Sequence, residues 1–164
     1  MTPADLVLTR QGLRFRGRRY ACSIGRGGLN AAKREGDGAT PLGEHRIVGM
    51  LYRPDRINAP TGWARPILPG DLWSDAPEDP HYNHLVRAPY GQSHERLRRA
   101  DPLYDLVILT DWNWPDAAPG RGSAIFIHQW RRPLYPTEGC VALSRRHLHS
   151  IAQDLVPGSR LIVR

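Results

Sequence analysis

Cysteine is scarce in this chain: Cys22 and Cys140 are the only two in 164 residues. At most one disulfide could form, and the unlike surroundings of the two cysteines do not say whether they pair. Lysine is scarcer still, with Lys33 standing alone, so the formal net charge of +7 is almost wholly an arginine excess. Neither end carries an apolar run long enough to insert in a membrane as a helix. The opening "MTPADLVLTRQG" also lacks the basic n-region and apolar h-region of a secretory signal, which by sequence alone keeps the chain in the cytoplasm. Internal repeats and low-complexity tracts are missing too. The length suits one domain, 1–164, with a sizeable core.

A basic balance suits an anionic partner: nucleic acid, a membrane surface or an acidic polymer. The arginines fall into scattered groups at Arg14, Arg16, Arg18 and Arg19, at Arg96, Arg98 and Arg99, and at Arg131, Arg132, Arg145 and Arg146. None is interleaved with aromatics along a nucleic-acid module, so nucleic acid is not the expected partner.

Short strand-like segments dominate. "DLVLT", "GLRFRG" and "RYACSIG" are spaced like a meander, and "HRIVGML" resumes an extended pattern after the Gly36-Asp37-Gly38 and Thr40-Pro41 turn signals. "LYDLVILT" and "SAIFIH" are continuous apolar runs of strand length and are expected to be central strands buried on both faces. Residues 53–103, dense in Pro, Asp, Trp and His, read as a long irregular insertion, a flap or a pair of hairpins. The period changes only in "SRRHLHSIAQDLV", where Leu148, Ile151 and Leu155 recur at helical spacing, Ser144 is placed to cap, and Pro157-Gly158 stops the helix before the last strand, "RLIVR". The expected fold class is mainly β with one or two short helices.

In "IHQWRRPLYPTEGCVAL", His128 closes an apolar strand and Cys140 follows a loop containing Pro133 and Pro136, which allows the two to meet at the mouth of a sheet. A thiol needs such a neighbour, because little of it is thiolate at neutral pH and a histidine can take its proton and return it to a leaving amine. Gly139 permits a strained turn that aims the Cys140 amide at a carbonyl oxygen, as an oxyanion donor. The helix near Ser144 is expected to lower the thiol pKa through its dipole. On spacing alone, a core thiol and a surface or capping histidine are the commoner explanation of such a pair.

"TEGCVALS" after "IFIH", with "GRGGL" and "KREGDGATPLGEHRI" upstream, resembles the L,D-transpeptidase catalytic domain family, the YkuD-type domain, in a compact branch without a signal. The likeness extends through "WSDAPEDPHYNHLV" and "SHERLRRADPLYDLVILTDWN" and so covers most of the chain. It implies a single-domain mixed β-sandwich or barrel, with Cys140 as nucleophile, His128 as general base and acid, Gly139 before the nucleophile, and Thr137 as the Ser/Thr of the motif. It further implies a thioester acyl-enzyme formed on peptidoglycan stem peptides, which serve as donor and acceptor, with no metal and no organic cofactor, and a histidine held by a backbone carbonyl. The cross-link is of the 3-3 type, or 1-3 with the first residue as donor.

The chain departs from the family pattern at Glu138, where many members have histidine, at Ala142, where many have arginine, and in a short span between His128 and Cys140. Arg131, Arg132, Arg145 or Arg146 can take over carboxylate recognition through bidentate pairing. Trp73, Tyr82, Asn83, His94 and Trp130 are candidates for lining the groove. Water as acceptor makes the enzyme an L,D-carboxypeptidase or endopeptidase, and a catalytically silent wall-binding module is the rival outside enzymes. The family reaction places the protein in the periplasm or cell envelope, against the missing signal.

Overall fold

Residues 2–164 are described by a computed structural model. The chain runs through β1 (Leu6–Thr9), β2 (Gly12–Phe15), β3 (Arg18–Tyr20), β4 (Cys22–Ser23), β5 (Leu29–Asn30), β6 (Thr40–Pro41) and β7 (Gly43–Tyr52). It continues through β8 (Arg65–Pro66), β9 (Asp71–Ser74), β10 (Leu85–Arg87), β11 (His94–Arg96), β12 (Leu106–Thr110), β13 (Phe126–Gln129) and β14 (Val141–Leu143). The helix α1 (Arg145–Ala152) and β15 (Arg160–Val163) complete it.

Nine of these strands follow the order β3-β2-β1-β15-β7-β12-β13-β14-β4, with β8 beside β7. Only Ala21 separates β3 from β4 in sequence, yet they stand at opposite ends of that order. The chain therefore draws the two edges together, and the sheet curls into a nearly closed barrel in a single mainly β domain. The expected third strand, "RYACSIG", is thus two strands, and the meander ends at Tyr20.

Alternation with period two explains the two cores. On β12, Leu106 and Ile108 enter the barrel core with Leu6, Leu8, Ile47 and Ile127, whereas Val107 joins Trp73, Tyr104 and Phe126 in a second core outside it. Those runs are continuous in sequence because both faces are covered. The insertion supplies the outer cover: β9 pairs antiparallel with β10 and β11 in a small three-stranded sheet. Helix α1 closes the inner core with Leu148, Ile151 and Ala152, and its Ser144 hydroxyl accepts from the His147 amide at 3.2 Å. Among the described residues, no helix is long and apolar enough to cross a membrane.

Candidate active site

β13 and β14 are parallel neighbours with Ile127 opposite Val141 and His128 opposite Ala142. Ile127 and Val141 point into the barrel, so Phe126, His128, Cys140 and Ala142 share the outer face. Cys140 accordingly packs on the second core beside Phe126, whose amide lies 3.4 Å from Sγ. The cysteine and the histidine line one cavity of about 420 Å³. They are diagonal to one another, His128 on β13 and Cys140 immediately before β14.

The glycine-rich segments near the amino terminus build the wall behind the thiol. Gly25 forms an isolated parallel bridge with Thr137, and the Thr137 amide donates to Ile24 O at 3.0 Å. A Cβ at Gly25 would sit 2.1 Å from Gly38 O and 2.9 Å from Gly139 Cα, so the backbones approach too closely for any side chain. The buried Thr40 hydroxyl donates to Gly139 O at 2.8 Å and accepts from the Gly25 amide at 2.9 Å. Thr137 ties the turn from within: its Oγ1 donates to Cys140 O at 2.6 Å and accepts from the Gly139 amide at 3.2 Å. Gly139 itself has φ +138°, a conformation that side chains disfavour.

His128 is buried, and its Nδ1 lies 2.8 Å from Gln129 O. A carbonyl can only accept, so Nδ1 carries the proton and Nε2 is the basic nitrogen. The Tyr104 ring meets the imidazole edge-on, with centroids 5.2 Å apart. The Cys140 thiol donates to Ala124 O at 3.1 Å, and none of its hydrogen bonds reaches the imidazole. Burial pushes the thiol up to about 12 and His128 down to about 4. The resting pair is therefore neutral thiol and neutral imidazole.

The expected help from the helix dipole is overturned. The whole of β14 stands between Cys140 and Ser144, the cap of α1, roughly 13 Å at about 3.3 Å per residue, whereas a dipole acts within about one turn of its end. Desolvation decides the thiol's pKa instead.

Of the other residues singled out in the sequence, Trp130 lines this cavity, as does Arg131. Trp73 is buried in the second core, edge-on to Phe126. Tyr82 borders a different hollow of about 730 Å³, with its hydroxyl bonded to Glu35 and to the Gly122 amide. Asn83 is buried at φ +59°, accepts from Trp73 Nε1 and the Ala124 amide, and donates to Trp112 O and Asn113 O. It holds Ala124, whose carbonyl holds the thiol, so it stands one step behind the site. His94 Nδ1 contacts Gln92 O, Arg132 stacks on Tyr135, and Arg145 pairs with buried Asp105. These six do not border the Cys140 cavity.

Sequence reasoning missed Glu95, Arg99, Leu103, Tyr104 and Tyr135 as residues of this wall. His94 and Glu95 are consecutive on β11, so singling out His94 selected the opposite face of the strand. The available signal was "SHERLRR" itself, with an acidic residue inside a basic run. Ala142, opposite His128, is fully buried, and the arginine common at that position in the resembled family has no counterpart there. Among the described residues, no group of three or more His, Cys, Asp or Glu is placed to hold a metal ion.

Comparison with protein families gives a match to the L,D-transpeptidase catalytic domain (YkuD) over residues 4–163. Comparisons with curated proteins and with solved structures gave no match. With the match spanning essentially the whole barrel and its outer cover, the chain belongs to the L,D-transpeptidase catalytic domain family, whose enzymes act on peptidoglycan.

Proposed function

We propose that this protein is a cysteine-dependent L,D-transpeptidase that forms peptidoglycan cross-links through a thioester on Cys140. The observation that carries the reading is the shared outer face of β13 and β14, on which Cys140 and His128 open into one cavity. Because both groups rest neutral, His128 Nε2 takes the thiol proton as the sulfur attacks, not beforehand. The thiol first turns from Ala124 O toward the imidazole, a single side-chain rotation.

The attacked carbonyl lies at the L-to-D peptide bond of a stem. The C–N bond breaks, His128 gives the proton to the departing amine, and the acyl group stays on Sγ. The Cys140 amide, placed by the Gly139 turn, donates to the oxyanion. A second stem peptide then supplies the amine that releases the acyl group. The third residue is the donor in a 3-3 link and the first in a 1-3 link, and the site of action is the periplasm or cell envelope.

Purified protein and Cys140→Ala are incubated with disaccharide-peptides, and the products are read by tandem mass spectrometry. Cross-linked dimers absent from the variant are expected, and their fragments identify the donor residue. Trimmed monomers alone would mean a carboxypeptidase or endopeptidase. The absence of any product, together with no carbapenem adduct on Cys140, would leave a wall-binding module.

A further inference from the structure

On the transpeptidase reading a second substrate must enter the cavity, and it is a primary amine. At neutral pH such an amine is an ammonium ion, so it needs a counter-charge, and its extra proton must leave before the nitrogen can attack. Three carboxylates stand at or beside the cavity. Glu138, exposed at the rim, is paired with Arg26 at 2.8 Å. Asp101 is held by two nitrogens of Arg99, at 2.8 and 2.6 Å.

Glu95 differs from both. It lines the cavity with Cys140 and His128, its Oε2 accepts the Tyr104 hydroxyl at 2.6 Å, and among the described residues it forms no ion pair. The same Tyr104 ring rests edge-on against His128, so one side chain sets the placement of the carboxylate and of the base. We propose that Glu95 binds the ammonium group of the acceptor and takes its first proton, an inference that rests on the transpeptidase reading. Burial pushes the Glu95 carboxyl up, which makes it a better proton acceptor than an exposed carboxylate.

The balance is complete without another reactant. The ammonium gives one proton to Glu95, which passes it to solvent. The free amine attacks the thioester carbonyl, the C–N bond forms and the C–S bond breaks. The second nitrogen proton travels through His128 to the departing Sγ, restoring the thiol.

Glu95→Gln tests this, because glutamine keeps an oxygen for Tyr104 and removes only the charge. Acyl-enzyme is formed from a donor stem peptide and partitioned between water, a stem-peptide amine, and hydroxylamine, which is uncharged at neutral pH. Expected is at least a tenfold rise in apparent KM for the peptide amine in Glu95→Gln, with capture by hydroxylamine changed less than threefold and partial recovery in Glu95→Asp. Equal losses toward both nucleophiles, or no loss toward either, would overturn the assignment. Wild-type protein that forms no acyl-enzyme would remove the transpeptidase reading first, and the inference with it.

Discussion

At the scale of single residues, the chemistry of Cys140 is governed by what surrounds the sulfur. A thiol beside an ion-paired histidine would be thiolate at neutral pH; this one sits against Phe126 and donates to Ala124 O, and burial raises it. Alkylation by iodoacetamide, followed at the Cys140 peptide by mass spectrometry, is therefore expected to accelerate about tenfold per pH unit between pH 7 and 10. A plateau below pH 9 would contradict a thiol near 12. The sequence made the pair Cys140 and His128 visible because both flank recognisable runs. Glu95 stayed hidden because a three-residue strand inside an irregular segment offers too little alternation to tell one face from the other.

Among the elements, the turn before β14 is set by segments far away in the chain. "GRGGL" and "GDGATP" are separate stretches in the sequence, yet Gly25, Ala39 and Thr40 all close on Gly139, with Gly38 O packed against Gly25. A Cβ at Gly139 would meet Ala39 O at 2.8 Å in a backbone already at φ +138°. At Gly17, also at positive φ (+74°), a Cβ has nothing within 4 Å. Gly139→Ala is expected to cost about 3 kcal/mol and to abolish carbapenem acylation of Cys140, while Gly17→Ala costs about 1 kcal/mol and leaves acylation intact. Chemical denaturation with adduct mass spectrometry checks both. The strands of β12 and β13 were legible as apolar runs, and α1 from its cap and its period. β14 was not, since three residues after a glycine-cysteine pair carry no periodic signal of their own.

Over the whole molecule, the site's burial enters the stability of the fold. His128 is held down to about 4 against an ordinary value of about 6.5 in the unfolded chain. Between those values the unfolded state binds more protons, so the stability that His128 contributes is present above pH 6.5 and is lost as pH falls toward 4. Acidification from pH 6.5 to 5 is expected to cost about 2 kcal/mol through this residue, a loss that His128→Asn removes, as measured by denaturant unfolding at each pH. Local sequence determined the long apolar strands β12 and β13 and the single helix with its cap, and it singled out Cys140 and His128, because each depends on period, turn residues or neighbours in the chain. Only the tertiary structure decided that the two edge strands joined by Ala21 come together in a nearly closed barrel, that the outer cover brings Glu95 and Tyr104 into one cavity with the thiol, and that Cys140 rests as a thiol. Those outcomes come from contacts between distant segments and from exclusion of water, which exist only once the sheet has curled.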